Sequence, residues 1–289
     1  MLGWEGVTEF VAVVESGSFT GAAQRLEISV AQVSRQVSAL EKRLACQLLH
    51  RTTRKVSVTE AGQLYYQYGR QVLDGLADAE RAVSNLQSTP SGKIKMTAPN
   101  TYGETKIAPI LNDFVAQYPE IELHCVFTNQ KIDLIDGGFD VAIRLGRLED
   151  STLVAKRLGS RRQYVCASPA YISANGEPHL ISELNRHNCL QGSLEYWRFQ
   201  EKGQERNIKV SGKIHFNSGV ALLDAALKGL GVVQLPDYYV QEYINNGQLS
   251  VVLQSFQTTD EGIWALYPKS KHLSSKIRRL VDFLGERLS

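Results

Sequence analysis

The sequence predicts an α/β protein laid out in three stretches, and three observations carry that prediction. A cationic excess is confined to the first 58 residues, which read as short helices with tight turns. A stripe of seven apolar or aromatic residues then runs for 22 residues, and from Lys93 onward the pattern changes to alternating strands and helices. The chain has 289 residues, 43% apolar and 21% charged, which suits two or three compact units and is too apolar for a disordered chain. No apolar run approaches the ~18–20 residues of a membrane-spanning helix. The start, MLGWEGVTEF, lacks the basic residues, apolar stretch and cleavage site of a secretory signal. The expectation is a soluble, cytoplasmic protein with no membrane partner.

In the first helix Phe10, Val11, Val13 and Val14 form the apolar face, and Ser16-Gly17-Ser18 ends it. Ser18 is placed to cap a second helix carrying Ala22, Ala23 and Leu26. Ser29 is placed to cap a third, on which Val33, Val37, Leu40 and Leu44 recur at steps of 4, 3 and 4. At about 100° per residue, Ala31, Arg35, Ser38 and Lys42 lie opposite that stripe, flanked by Gln32 and Ser34. Arg can bond bidentately to guanine and Gln to adenine, while Ser reaches either a base or a phosphate. A short helix, a tight turn and a helix with this outer face therefore suit the major groove of DNA. The bland alternative is an ordinary solvated helix.

Charge bears on the choice without deciding it, since a solvated basic face would carry the same excess. Residues 31–58 hold Arg35, Lys42, Arg43, Arg51, Arg54 and Lys55 against Glu41 alone, whereas residues 59–289 hold 25 cationic and 25 anionic groups. A local excess of that kind is the footprint of a nucleic-acid contact. Alternation across Lys55-Val56-Ser57-Val58 suggests a strand after a basic turn. It would form a β-ribbon whose Arg51, Arg54 and Lys55 neutralise phosphates without reading sequence.

Thr59-Glu60 opens a long helix. Tyr65, Tyr68, Val72, Leu76, Ala79, Val83 and Leu86 step by 3, 4, 4, 3, 4 and 3, a heptad seam with no proline before Pro90. Pairing with a second copy is the favoured use of the seam, and packing on a later unit is the alternative. Ser88 to Gly92 reads as a hinge. KIKMTAP then reads as a strand, GETKIAPILNDFVAQYP as a helix, IELHCVFT as a strand, QKIDLIDGGF as a helix with a turn, and DVAIRLG as a strand. This series implies a parallel sheet. RRQYVCASP, KIHFNS, a helix from Gly219 to Lys228, and GVVQLP continue it after a polar middle. GIWALYP and a C-terminal amphipathic helix follow.

Cys46, Cys125, Cys166 and Cys189 are scattered, with no C-x-x-C pair and no His at ligand spacing, so no metal or cofactor is expected. Reduced thiols packed as small apolar groups are the default, and a thiol switch would require two of them to be close. There is no Gly-rich phosphate loop, H-E-x-x-H or G-x-S-x-G, so no catalytic residue is proposed and an enzyme is not expected.

The stretch from Ser18 to Gly62, with Ala22-Ala23, Leu26, Val33-Ser34-Arg35, Leu40-Glu41, Leu48, Arg51, Arg54 and Thr59-Glu60-Ala61-Gly62, closely resembles the N-terminal signature of LysR-type transcriptional regulators. GFDVAIRLG (Gly138 to Gly146) and GLGVVQLP (Gly229 to Pro236) are similar to that family's regulatory domain. Two positions depart from the family pattern: Leu44-Ala45, where Leu-Gly is usual, and Leu48-Leu49, where Leu-Phe is usual. The resemblance implies a winged helix-turn-helix over residues 1–58, a dimerising linker helix over 59–87 and a hinge over 88–92. It further implies a two-lobed effector domain over 93–289, similar to periplasmic solute-binding proteins. Lobe I would span about 93–162 and 265–289, and lobe II about 163–264. Operator DNA, a small-molecule effector between the lobes, RNA polymerase, and further copies of the chain as dimer or tetramer are the partners so implied.

In open α/β sheets ligands gather at the carboxyl ends of strands beside helix N-termini. Asn100 and Thr101, Thr128 and Asn129, Arg144, and Asn217 and Ser218 stand at such places and would suit a carboxylate or polar metabolite. Thr101, Thr128 and Ser218 serve equally well as helix caps, and Arg144 could instead pair with Glu149 or Asp150. Family members that bind carboxylates usually have a hydroxyl where this chain has Pro99. A regulator responding to thiol oxidation is the alternative, followed by a solute receptor or an enzyme.

Overall fold

The computed structural model describes residues 4–51, 56–83, 90–135, 137–148, 152–269 and 273–288, with backbone only at 51, 78, 79 and 81–83. Three helices come first: α1 (Val7–Ser16), α2 (Phe19–Leu26) and α3 (Val30–Leu44). The hydroxyls of Ser18 and Ser29 cap α2 and α3, accepting from Gly21 N at 3.0 Å and Gln32 N at 3.2 Å. Phe10, Val13, Ala22, Val33, Val37 and Leu40 are wholly buried in their common core. The last member of the α3 stripe, Leu44, stays 37% exposed, and Ala45 beyond it turns the chain away at φ 50°. β1 (Leu49–Arg51) and β2 (Val56–Val58) pair antiparallel as a two-stranded ribbon. Glu41 fixes the ribbon to α3, since its Oε1 accepts from Leu48 N at 2.9 Å and Leu49 N at 3.0 Å.

α4 (Glu60–Val83) starts against the ribbon: Thr59 Oγ1 accepts from Gly62 N at 2.9 Å. A side chain at Gly62 would collide with the Leu48 carbonyl oxygen, so only glycine permits this approach. The first half of α4 lies along α1, with Tyr65 edge-on to Phe10 at 5.8 Å between ring centres.

The remaining chain forms two sheets. β3 (Gly92–Ala98) leads into α5 (Asn100–Tyr102), which runs through a π-turn into α6 (Ala108–Gln117); β4 (Ile121–Phe127), β5 (Val141–Leu145) and β6 (Leu153–Arg161) follow. Next come β7 (Gln163–Ala167), α7 (Pro169–Asn175), β8 (Cys189–Leu190), β9 (Tyr196–Glu201) and β10 (Gln204–Lys209). The chain closes with α8 (Gly219–Leu227), β11 (Val232–Pro236), α9 (Asp237–Asn245), β12 (Ser250–Val252), β13 (Glu261–Pro268) and α10 (Ser275–Leu288). The first sheet has the order β4-β3-β5-β13-β6 and the second β12-β7-β11-β8, while β9 and β10 form a separate hairpin. In the first sheet Ile94, Met96 and Ile143 pack with Phe114 of α6 and Leu280, Phe283 and Leu284 of α10.

Four expectations need correction. The first sheet is mixed, because β3, β4 and β5 are parallel but β13 returns from the second lobe at the end where β5 finishes and so runs antiparallel. The described residues of 130–139 form turns and irregular backbone instead of a helix with a turn: Gly137 and Gly138 break the pattern, Gly138 at φ 62°. The segment 213–218 makes one bridge, Gln191 to His215, because β8 beside it is only two residues long. The polar middle holds β6, and the β9–β10 hairpin follows β8; charged side chains on these strands mask the apolar alternation that marks a strand.

Candidate functional site

On α3 the face opposite the core carries Gln32, Arg35 and Ser38, all exposed, with Ser34 half-buried beside them. Ser29 is exposed at the helix start, its hydroxyl engaged as the cap. The face survives folding because the three buried residues Val33, Val37 and Leu40 pin the opposite side. Arg51 lies in β1, and its side chain is outside the described residues, as are Arg54 and Lys55 entirely.

α4 presents three faces. Leu64, Tyr68, Val72 and Leu76 are exposed at 54%, 62%, 38% and 52%, a row of large apolar groups one turn apart. Tyr65 does not belong to it: the helix rotation turns its ring onto Phe10, and Leu64 takes its place in the row. The side chains of Ala79 and Val83, and all of Leu86, lie outside the described residues. The third face is polar and meets the first lobe through Gln67, Arg70 and Asp74.

At the carboxyl ends of the first sheet, Asn129 Oδ1 accepts from Asn100 N at 3.1 Å, and Thr128 N donates to Ala98 O at 2.8 Å. This brings Asn100, Thr128 and Asn129 together. Thr101 follows Asn100, its carbonyl accepting from Thr105 Oγ1 at 2.7 Å. Ser218, on the second lobe, caps α8 by accepting from Ala221 N at 3.4 Å, with Asn217 exposed before it. Arg144 is half-buried; its Nη1 donates to Ile143 O at 2.9 Å. Its Nη2 and the Thr97 hydroxyl are buried with no hydrogen-bond partner among the described residues. Burial pulls the Arg144 guanidinium below its ordinary value. Glu149 and Asp150 lie outside the described residues.

The structure adds a site the sequence did not suggest. A cavity of about 440 Å³ lies where the chain crosses between the two sheets, lined by Arg147, Arg198, Glu205, Asp260, Glu261 and Trp264 among others. Glu261, its side chain 8% exposed, accepts from Arg161 Nη2 at 2.7 Å of the first sheet and Arg198 Nη1 at 2.7 Å of the β9–β10 hairpin. Gln163 adds a bond at 3.4 Å. Burial pushes the Glu261 carboxyl up, and Arg161, Gln163 and Arg198 outweigh it, holding the group below the usual carboxylate range. Arg147 pairs with Glu205 across the same gap, and Trp264 Nε1 donates to Gly146 O at 2.9 Å. Two guanidiniums thus share one buried carboxylate beside an indole ring, in a gap whose lining carries both signs of charge: Arg147 and Arg198 against Glu205, Asp260 and Glu261. Its residues come from segments as far apart in sequence as Gly146 and Trp264, so no spacing in the sequence could reveal them.

Comparison with known proteins decides the family. Residues 4–63 match the bacterial regulatory helix-turn-helix protein, lysR family, and residues 87–289 match the LysR substrate binding domain. The chain belongs to the LysR family of transcriptional regulators. This LysR regulator is 40% identical over 288 residues to an HTH-type transcriptional regulator of Xanthomonas campestris, covering 97% of this chain and 84% of that one. Among solved structures it resembles CrgA, a LysR-type transcriptional regulator from Neisseria meningitidis, at 35% identity and a TM-score of 0.62, covering 98% of each chain. It also resembles the full-length Vibrio cholerae virulence activator AphB at 30% identity and a TM-score of 0.61, covering 98% of this chain and 99% of that one. An N-terminal helix-turn-helix with a C-terminal effector-binding domain is therefore the architecture of this regulator.

The thiols of the regulator are poorly placed for a switch. Cys166 and Cys189 flank β11 on opposite faces of the second sheet, in different core clusters. Two strand spacings separate them by about 9.6 Å, beyond the ~7 Å between Cα atoms that a disulfide tolerates. Burial pushes both thiols up to about 12, and Cys125, in the other sheet, to about 11.

Proposed function

We propose that Gln32, Ser34, Arg35 and Ser38 read base edges in the major groove, with Ser29 at the backbone and Arg51, Arg54 and Lys55 of the ribbon turn on phosphates. One observation carries this reading: the α3 face that combines the Arg35 guanidinium, the Gln32 amide and the Ser38 hydroxyl points away from the core of the N-terminal unit. Residues 1–58 then form the DNA-binding unit, 59–87 the linker helix, 88–92 the hinge, and 93–289 the effector domain. The exposed row on α4 pairs two copies of the chain, which bind a two-fold symmetric operator as a dimer or a dimer of dimers and recruit RNA polymerase in the cytoplasm.

The effector binds between the lobes and is a small anion. Asn100, Thr101, Thr128 and Asn129 on one lobe and Asn217 and Ser218 on the other supply neutral donors, with Arg144 nearby. The buried Nη2 of Arg144, without a hydrogen-bond partner among the described residues, supports the preference for an anion. Ligand binding changes DNA binding only insofar as one lobe arrangement holds the ligand better than another.

A gel-shift titration on a duplex carrying the region upstream of the protein's own gene tests the reading. Five to eight neutralised phosphates per dimer predict a log–log salt slope of about −5 to −7. A flat slope, or equal affinity for a scrambled duplex, would refute it. Thermal-shift screening of small carboxylates tests the effector class separately.

A further inference from the structure

Arg70, at the middle of α4, is 7% exposed and touches all three parts of the chain. Its Nε lies 3.7 Å from Glu15 Oε1 of α1. Its Nη2 lies 3.2 Å from Asp140 Oδ2 and also donates to Lys93 O, both in the first lobe. One turn further along α4, Asp74 receives Lys276 Nζ of α10 at 2.8 Å, and that lysine is 4% exposed. Gln67, one turn before, donates to Ile135 O. At about 100° per residue, positions 67, 70 and 74 fall within an arc of about 60°, so one narrow face of α4 is dedicated to the first lobe.

Each partner is held from its own side. Glu15, its side chain 6% exposed, also pairs with Arg25 and accepts from Tyr66 Oη at 3.2 Å. The Asp140 oxygen that meets Arg70 accepts from Lys95 N at 2.7 Å, while Lys95 Nζ donates to Gly137 O at 2.8 Å. Burial works against the charge on Arg70, and the carboxylates of Asp140, Asp74 and Glu15 outweigh it, so the guanidinium stays protonated. An apolar contact slides at little cost, whereas a buried charge moved out of register loses its partner and keeps its desolvation penalty. A buried ionic node therefore specifies one placement of the units it joins.

We propose that Arg70 and Lys276 are positioning residues: with Glu15, Asp140 and Asp74 they form an ionic tie that holds α1 and α4 against the first lobe. The tie is wired to the ligand side of the molecule. Asp140 directly precedes β5, the central strand of the first sheet, and Gly146 and Arg147 at the other end of β5 line the cavity between the two sheets about 20 Å away.

Hydrogen–deuterium exchange on the full-length protein tests the tie. Asp140→Asn keeps an oxygen for Lys95 N but removes the charge facing Arg70. It should raise exchange at least tenfold in residues 10–16, 66–76 and 134–140 together, leaving α3 and β13 unchanged. Glu15→Gln, made on the other unit, should raise exchange in the same 66–76 and 134–140 segments. A rise confined to the unit carrying the substitution would reduce each residue to a local structural role and overturn the proposal, as would no rise at all. Adding Asp140→Asn to Arg70→Met should change nothing further; an additional rise would show that Asp140 acts without Arg70. Should Arg70→Met fail to fold, the two single variants on opposite units decide the matter alone.

Discussion

The DNA-binding unit and the effector lobes position their working groups by opposite means. In the first, an apolar stripe on α3 buries Val33, Val37 and Leu40, and the groups proposed to read DNA stand on the other side of the same 15-residue helix. In the second, Glu261 waits for Arg161 and Arg198, which arrive on separate strands 100 and 63 positions away. The first arrangement depends on helix period and on a core that excludes water. The second depends on chain crossings that bring charges together and on each charge finding its partner. Loss of a partner should therefore harm the lobes more than loss of an exposed reading group harms the helical unit.

The largest effect is expected at Glu261, where the chain crosses between the two sheets. Glu261→Ala leaves two guanidiniums facing each other without a carboxylate and should cost about 3–5 kcal/mol in urea unfolding. A loss below about 1 kcal/mol would class the cluster with ordinary surface pairs and erase the contrast. Acid should act on the same group. Its carboxyl lies below the ordinary 4.5, so the stability it contributes is present above that value and disappears as the pH falls through the lower folded value. Unfolding midpoints measured from pH 6 downward should fall more steeply in the wild type than in Glu261→Gln.

Arg35→Ala comes next. It should leave folding unchanged and cost about 1–3 kcal/mol per half-site in operator binding, removing discrimination while weak nonspecific binding persists. Competition between the upstream duplex and a scrambled one measures this, and preserved discrimination would move the reading face elsewhere.

Thiol chemistry separates the regions in another way. At neutral pH peroxide or iodoacetamide should modify Cys46, exposed in the helical unit, and leave Cys125, Cys166 and Cys189 largely intact over the same time, as peptide mass spectrometry would show. Equal modification of Cys166 would mean that the second sheet opens readily.

The smallest effect lies at the end of α3. Ala45 occupies the left-handed region at φ 50°, where glycine is unstrained, and the family usually has glycine there. Ala45→Gly should raise stability by about 1 kcal/mol. No gain would mean that the turn relaxes around the alanine side chain.

Period and capping determined much of this protein in advance. Ser18 and Ser29 as caps, the α3 stripe, the ribbon at Val56 to Val58 and the start of α4 at Glu60 were legible because each depends on residues within one or two turns. The same local rule failed where a neighbour in space decides. Tyr65 fitted a heptad, yet contact with Phe10 turned it inward. The segment QKIDLIDGGF reads as a helix with a turn, yet at its described residues two glycines and the burial of Leu134 and Phe139 beside Ala142 of β5 leave turns.

By itself the chain's order of residues determined the family, the apolar stripe of α3 and the exposed Tyr68, Val72 and Leu76 of α4, since hydrophobic period and short-range hydrogen bonds act along the chain. Only the tertiary structure decided the mixed direction of the first sheet, the Arg161–Glu261–Arg198 cluster and the Glu15–Arg70–Asp140 tie. Those depend on Coulomb attraction in a low-dielectric interior, which is strong within a few ångströms and indifferent to how many residues lie between the partners.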